Sequence, residues 1–290
     1  MAETELSPIR ELTDQELPSL NKLVSDSFGY RGTHTFFDDF PIWKSIHVKR
    51  FGIFIGERLV SHAGIRFCEM NNPDGKKIPV AMVGAVATDE NFRGQGLSSR
   101  ILEHLCKLSE ANQCDWTLLW GSEHEFYRKF GFELQGEQFQ GPLQELQQLP
   151  ENEIPRVKRG WDERIFESLM HNRNGIVIGN HDHDWIAGHS TVNWFYQDMP
   201  FAFVGFERGL DLSHIIHEFG GDEKGLQLLC SFVLSLDPEA TILGTRKKLM
   251  EMGFEDSALI EEYLCLARPH SAKAGLKWQD DFWVQGLSAC

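Results

Sequence analysis

The chain has 290 residues, with 28 basic and 43 acidic side chains that leave a formal net charge of −15. This charge repels nucleic acid and anionic lipid and favours cationic partners, although an acidic excess also simply keeps a protein soluble. No window holds about 18 consecutive apolar residues, and the N-terminal residues lack a basic segment followed by an apolar one. We therefore expect a cytoplasmic protein with no nucleic-acid partner and no membrane contact.

The cysteine and histidine patterns argue against a metal centre. The six cysteines form no C-x-x-C pair, and none lies beside a histidine at ligand spacing. Histidines alternate with acids over residues 180–184, but no further ligand cluster accompanies them. A polar surface turn is the favoured interpretation there, and we expect no metal cofactor.

The first half begins with a short strand over residues 9–12. Thr13 and Glu16 then form the capping-box pattern, which opens a helix whose apolar residues keep helical spacing as far as Phe28. The elements expected next are a hairpin over 51–55 and 59–65, a strand over 77–87, a helix from Leu97, a buried strand over 116–120 and a short helix over 123–129.

The second half follows a stretch rich in proline, glutamine and glutamate, which predicts a linker over residues 146–160. The domains expected are thus 1–145 and 161–270, with an aromatic tail over 271–290. The elements predicted in the second domain are helices over 162–171, 225–236 and 247–252, loops or strands over 194–196 and 200–206, and strands over 212–219, 240–243 and 263–267.

The two halves share an order of elements, which suggests a weak internal repeat. In each, a short helix after a buried strand ends in Gly-Phe, at Gly131-Phe132 and at Gly253-Phe254. The second half has no counterpart of the sequence Arg-Gly-Gln-Gly. Acids over residues 218–223 stand at the corresponding helix start and would repel a phosphate.

Residues 93–96, Arg-Gly-Gln-Gly, precede the long helix of the first half. The N-terminus of a helix offers unpaired backbone N–H groups, glycines allow an anion to approach closely, and no acid lies between Phe92 and Ile101. The loop therefore meets the requirements for binding a diphosphate. Two alternatives are a dinucleotide-binding loop, although that motif follows its strand at once, and a purely structural joint. A Walker loop is excluded because its Gly-Lys-Ser/Thr sequence is absent.

Two motifs resemble the GNAT acetyltransferases. Arg93, Gly96 and Ser98 occupy the three defined places of that family's acetyl-CoA signature, with serine where glycine or alanine is usual. About thirty residues later, residues 122–132 resemble the second signature, which ends in Phe-Tyr-x-x-x-Gly-Phe. The tandem layout with an aromatic tail is similar to the enhanced-intracellular-survival type, without room for that type's third domain.

The resemblance implies an α/β fold with a mixed α+β sheet: a GNAT domain followed by a degenerate GNAT-like half. It implies acetyl-CoA as cosubstrate, with the pantetheine arm on the strand end and the pyrophosphate on the loop. The residues expected to bind acetyl-CoA are Val86, Ala87, Thr88, Arg93, Gly94, Gln95, Gly96, Leu97, Ser98, Ser99 and Ser122.

The resemblance also implies direct acetyl transfer to an amine, with Tyr127 in the position of the general acid. Asp38, Asp39 and Glu123 are the candidates for binding the acceptor. In relatives of the survival type the chain terminus can enter the active site, which makes the carboxylate of Cys290 a candidate catalytic group.

We therefore expect an N-acetyltransferase that acts on a primary amine of a cationic acceptor: an aminoglycoside-like compound, a polyamine, or a protein or peptide amine. The strand before the glycine loop, residues 78–86, carries no acid that could serve as a base. A GNAT-fold protein that binds acyl-CoA without turnover, as a sensor or regulator, is the alternative.

Overall fold

The structure is a computed structural model that describes residues 5–71, 76–146, 157–171, 175–270, 283–284 and 286–288. Within these ranges the chain forms thirteen strands. They are β1 (Arg10–Glu11), β2 (Val48–Ile55), β3 (Arg58–Asn71), β4 (Lys77–Thr88), β5 (Trp116–Leu119), β6 (Glu133–Pro142), β7 (Lys158–Arg159), β8 (Gly175–Ile176), β9 (Asn193–Asp198), β10 (Phe201–Phe206), β11 (Ile215–Gly221), β12 (Thr241–Gly244) and β13 (Ile260–Pro269).

The same ranges contain eight α-helices, joined by short 3-10 turns. They are α1 (Leu17–Phe28), α2 (Phe36–Asp39), α3 (Leu97–Ala111), α4 (His124–Arg128), α5 (Glu163–Met170), α6 (His183–Ala187), α7 (Glu223–Leu236) and α8 (Arg246–Glu251). None of the helices in the described ranges has the length and apolarity needed to cross a bilayer.

Local sequence explains the longest elements of the first half. The predicted capping box of Thr13 and Glu16 is present and leads into α1, which ends where Gly29 adopts a φ of 84°. One face of α3 is apolar and buries Leu97, Ile101 and Leu105 completely or nearly so against the sheet. These side chains belong to the core on one side of the first-half strands.

One mixed sheet runs through both halves, with the strand order β1-β2-β3-β4-β5-β13-β6-β12-β11-β10-β9-β7 and with β8 beside β3. The two halves exchange strands at its centre. β13, from the end of the second half, pairs with β5, while β6, from the first half, pairs with β12. The exchanged strands also pair with each other. Each half therefore completes its sheet with a strand of the other.

The exchanged strands carry their side chains into the core of the opposite half. Leu266 of β13 packs with first-half residues around α3. Phe139 of β6 packs with second-half residues around α7. Both side chains are at least 96% buried. Burial of apolar surface thus joins the halves in addition to the hydrogen bonds of the sheet.

The α/β class with a mixed sheet is confirmed, and most predicted helices and strands lie within a few residues of their observed bounds, although β3 continues from its predicted end at residue 65 to Asn71. The domain boundaries remain a prediction. Lys158–Arg159, at the end of the predicted linker, form the edge strand β7 against β9. Residues 147–156 of that linker and most of the tail over 271–290 lie outside the described residues.

The strand exchange predicts a single unfolding transition for the whole chain. Leu266→Ala removes a buried side chain that the second half contributes to the first-half core, so it should lower the free energy of unfolding by about 2–5 kcal/mol. Calorimetry of the full chain should show one peak that moves as a unit. Tyr263→Ala on the same strand, 63% exposed, is the control with little expected effect. Two separable transitions would contradict the prediction.

Candidate active site

The site begins where two parallel strands separate. β4 and β5 pair in register from Val80↔Trp116 to Val83↔Leu119. β5 ends there, while β4 continues to Thr88. The backbone of β4 beyond Val83 is therefore no longer paired with β5, and its hydrogen-bonding groups can meet a ligand in the gap.

A β-bulge bends β4 at the same place. The pairing with β3 shifts between His62↔Ala87 and Gly64↔Gly84, so β4 has one extra residue there. Ala85 takes a φ of 50°, which is uncommon for a residue other than glycine. His62, fully buried, lies with Nδ1 2.9 Å from the Ala85 carbonyl oxygen. This contact holds the bulge from the side opposite the gap.

The gap opens into a cleft of about 550 Å³. On the first-half side its wall includes the bulged part of β4, the turn after β5 and α4. The lining residues from these three elements are Gly84, Ala85, Val86, Gly121, Ser122, Glu123 and Tyr127. Of the residues predicted to bind a cosubstrate or an acceptor, Val86, Ser122 and Glu123 thus lie on this wall.

The glycine loop follows β4 after a 3-10 turn over Glu90–Phe92 and leads into α3. Gly94 and Gly96 have φ of 75° and 73°, and a Cβ on either would meet nothing within 4 Å, so the loop is open on its outer side. Gly96 is the N-cap of α3 and no side chain caps the helix; the first turn carries no acid. The amides at this helix start are therefore available to an anion.

Side chains around the loop fix its position. The hydroxyl of Ser98 lies 2.6 Å from that of Thr88, which in turn lies 2.8 Å from that of Ser61. The exposed Arg93 donates from Nε to the Thr88 carbonyl oxygen at 3.2 Å. Ser98 and Thr88 therefore connect the helix start to the strand end, and Arg93 keeps its positive charge beside them.

The corresponding helix start in the second half is already occupied. α7 follows β11 as α3 follows β4, and β11 pairs in parallel with β12. Asp222 caps α7, and its Oδ1 accepts from the Gly225 amide at 3.1 Å. A carboxylate of the chain thus takes the place where the first half offers free amides, which agrees with the expected loss of phosphate binding.

Tyr127 lies at the opening between the strands. Its side chain is only 8% exposed and packs over Gly121, where an added Cβ would lie 2.9 Å from the ring and 3.3 Å from the hydroxyl oxygen. Burial, together with the nearby charge of Glu123, raises the pKa of the Tyr127 phenol. The hydroxyl therefore keeps its proton at neutral pH and can donate it.

Asp38 and Asp39 do not line the cleft. Asp38 is the acid of a capping box, where its Oδ2 accepts from the Thr35 amide at 2.7 Å. Asp39 is fully buried, with its Oδ2 2.6 Å from the Tyr30 hydroxyl and its Oδ1 2.7 Å from His34 Nε2. Direct binding of an acceptor by Asp39 does not fit this geometry, because its carboxylate is fully buried and already paired. Asp38 is half-buried, and its role remains a prediction.

The second half supplies a wall of the cleft that the sequence did not reveal. Arg208, 2% exposed, and Asp211 both line the cleft. Arg208 donates from Nε to Asp211 Oδ1 at 3.2 Å, and its Nη2 forms a second hydrogen bond to Oδ2. Its guanidinium carbon lies 4.4 Å from the centre of the Phe40 ring. Arg208 thus joins a carboxylate of one half to an aromatic ring of the other.

Part of the aromatic tail reaches this wall. Trp283, Val284 and Gly286 line the cleft. Arg208 donates to the Gly286 carbonyl oxygen at 2.5 Å, and the buried Glu218 accepts from the Leu287 amide at 2.8 Å. Cys290, the candidate terminal carboxylate, lies outside the described residues.

Comparison with known proteins agrees with this geometry. Residues 8–135 match the acetyltransferase (GNAT) domain family. This part of the chain is a GNAT acetyltransferase domain. It contains the bulged strand, the glycine loop and Tyr127. No curated protein sequence matches the chain.

Solved structures resemble the chain over both halves. A probable N-acyltransferase from Enterococcus faecalis V583 is 18% identical, with a TM-score of 0.67 over 93% of this chain and 74% of that one. Eis1 from Mycobacterium abscessus is 13% identical, with a TM-score of 0.62 over 93% and 74%. A putative acetyltransferase from Pyrococcus horikoshii is 13% identical, with a TM-score of 0.60 over 100% and 98%. The GNAT domain and the second half thus share their joint fold with these proteins.

The bulge of the GNAT domain should make stability depend on pH. Burial lowers the pKa of His62 to about 4, below its ordinary value of 6.5. Between these values the unfolded chain binds a proton that the folded chain excludes, so the contribution is present above about pH 6.5 and is lost as the pH falls towards 4. The unfolding free energy of the wild type, measured in urea, should therefore fall relative to that of His62→Asn as the pH is lowered from about 6.5 towards 4. Parallel pH profiles for the two proteins would contradict this.

Proposed function

We propose that the protein is an acetyl-CoA-dependent N-acetyltransferase that transfers the acetyl group directly to a primary amine. The observation that carries this proposal is the cleft at the separation of β4 and β5, which has the buried Tyr127 on its wall. The acid-free glycine loop follows β4 after a 3-10 turn. Matching of residues 8–135 to a GNAT domain supports acyl transfer in general.

The cosubstrate fits the groups that the chain leaves open. The backbone of Val86 and Ala87 continues beyond the last β4–β5 pair and can bind the amides of a pantetheine arm, while the Thr88 carbonyl oxygen already accepts from Arg93 Nε. The amides of residues 95–99 and the exposed Arg93 can bind the pyrophosphate. Gly94 and Gly96 leave space for its oxygens, because no side chain covers them.

The chemistry requires one proton to leave the ammonium before attack and one to reach the sulfur. After losing a proton, the amine nitrogen attacks the thioester carbonyl carbon and the C–S bond then breaks. Tyr127 donates its proton to the departing sulfur and regains one from the nitrogen, so that the products are an acetamide, a free thiol and one proton. A raised pKa suits this role, because the phenol must be protonated when the bond breaks.

Glu123 is the candidate for receiving the first proton. It lies on the cleft wall, it is exposed, and its charge acts on Tyr127. An exposed carboxylate close to the acid can bind the ammonium and pass its proton to water. This role replaces the missing acid on β4.

Tyr127→Phe should lower kcat by about a hundredfold or more, because it removes the proton donor but keeps the ring. Release of CoA is measured with a panel of primary amines. Acetyl-CoA affinity, measured by calorimetry, should change little. Tyr263→Phe makes the same chemical change at an exposed position and should retain full activity.

Each outcome of this experiment decides between functions. Unchanged turnover by Tyr127→Phe would remove the proposed acid. A wild-type protein that binds acetyl-CoA but releases no CoA with any amine would fit the alternative of a non-catalytic acyl-CoA sensor. Absence of acetyl-CoA binding would end both proposals.

A charge placed in the glycine loop tests the pyrophosphate site separately. Gln95→Glu should weaken acetyl-CoA binding by about tenfold or more, because it adds an anion where the amides would meet the pyrophosphate. Gln95→Ala, the neutral control, should change the dissociation constant by much less. Equal effects of the two substitutions, measured by calorimetry at one salt concentration, would argue against an anion at this loop.

A further inference from the structure

The net charge of the chain suggests a cationic acceptor, but the lining of the cleft does not suit a polycation. We propose that the acceptor is a monoamine whose amino group is attached to an aromatic or branched apolar body, as in an arylalkylamine. This inference rests on the proposed N-acetyltransferase function and names the substrate class of the same site. Three features of the cleft support it: the apolar lining, the charged side chains and the hydrogen bonds behind the lining.

An aromatic wall, defined as Phe28, Tyr30, Phe36 and Phe40, lines the acceptor side. Its rings form a continuous surface: Phe36 stacks on Phe40 at 4.5 Å and lies 5.4 Å from Phe28. Tyr30 meets Phe36 edge to face at 6.0 Å. Phe28 is 49% exposed and the other three rings are at most 7% exposed, so an apolar or aromatic body would gain free energy mainly by covering Phe28, which the other rings support.

Further apolar side chains extend this surface across the cleft. Leu210, 56% exposed, and Leu212 come from the second half, and Trp283 comes from the tail. A large apolar side chain exposed at the edge of a cleft is typical of a ligand-binding surface. The apolar lining thus comes from three separate parts of the chain.

The charge of the cleft matches one ammonium group. Among the described lining residues the ionised groups are the carboxylates of Glu123 and Asp211 and the guanidinium of Arg208, which leaves one net negative charge. Arg208 binds Asp211 with two hydrogen bonds. Glu123, beside Tyr127, is therefore the carboxylate left for the reacting amine, and a polycation would place its other charges against apolar rings.

The position of Arg208 also argues against an aromatic cage that would bind a second cation. Its guanidinium already lies over the Phe40 face at 4.4 Å, and it is almost fully buried. The same side chain binds the tail at the Gly286 carbonyl oxygen. Arg208 therefore acts as a positioning residue that keeps the wall apolar and closed.

The support behind the aromatic wall is rigid. The Tyr30 hydroxyl donates to the buried Asp39, which also accepts from the Leu210 amide at 3.3 Å. Gly209 leaves no room between them, because a Cβ there would lie 1.6 Å from Asp39 Oδ2. Tyr30 and the backbone at Leu210 are thus held by one carboxylate, so the wall is formed before an acceptor arrives.

The cleft volume favours a compact acceptor. About 550 Å³ must contain both the thioester end of acetyl-CoA and the acceptor. A phenethylamine or a tryptamine is compact and carries one charge, whereas an aminoglycoside is larger and carries several.

The first experiment compares acceptors with the wild-type protein. CoA release is measured with phenethylamine and tryptamine against spermidine and kanamycin, at one acetyl-CoA concentration. We expect kcat/KM for the arylalkylamines to exceed that for the polycations by about tenfold or more. A higher kcat/KM for spermidine or kanamycin would overturn the proposal while leaving the N-acetyltransferase function in place.

The second experiment changes the wall. Leu210→Glu should lower kcat/KM for phenethylamine by about tenfold and shift preference towards spermidine, because it adds a charge and removes apolar contact. Leu210→Ala removes the contact alone and should cause a smaller loss for phenethylamine with no gain for spermidine. Met250→Glu, at an apolar residue that is 48% exposed and lies outside the cleft, is the control and should alter kcat/KM for neither substrate. An unchanged substrate ratio in Leu210→Glu would contradict the proposal.

A binding measurement separates failure of this inference from failure of the function. Trp120 and Trp283 line the cleft, so their fluorescence should report acceptor binding to the CoA-loaded protein. If no amine is acetylated, the proposed function fails. Tighter binding of phenethylamine than of spermidine would still support the apolar acceptor site, and the reverse order would overturn it.

Discussion

The separation of β4 from β5 after the Val83–Leu119 pair is the constraint on which the rest of the structure depends. A strand that leaves its neighbour inside a sheet exposes backbone groups that cost free energy unless a ligand or water satisfies them. Two features maintain the separation. The bulge at Ala85, held by His62, bends β4 away, while β13 occupies the other edge of β5. Backbone groups of β4 that face the cleft are thus available to form hydrogen bonds with a ligand.

The helix start of the second half is capped by a side chain, so it is not open to a ligand. The strand exchange shows what this half contributes to the cleft instead. Asp222 caps α7, so the amides that α3 leaves open are already satisfied there. What this half contributes is β13, which completes the first-half sheet, and the segment with Arg208 and Asp211, which closes the cleft. One half therefore carries the open helix start and Tyr127, and the other half supplies a strand of its sheet and a wall of the cleft.

Buried charged side chains join the halves around the aromatic wall. Asp39 of the first half accepts hydrogen bonds from Tyr30 and from the Leu210 amide of the second half. Arg208 connects Asp211, the Phe40 ring and the tail. A buried ionised group is costly unless its partners satisfy it, so each of these contacts fixes the relative position of segments distant in sequence. The wall owes its shape to these pairs.

The sequence by itself determined most of the elements and the glycine loop at the start of α3. Capping residues, apolar periodicity and glycines act within a few residues, so α1, α3 and the glycine loop could be predicted, while Tyr127 was singled out by the resemblance to the GNAT signature. Tertiary structure alone decided the exchange of β6 and β13 and the burial of Asp39, which had been expected to bind the acceptor. It also decided the arrival of Arg208, Asp211 and the tail at the cleft. These depend on contacts between residues far apart in the chain, and local patterns carry no record of which distant partner will satisfy a buried charge or an unpaired strand edge.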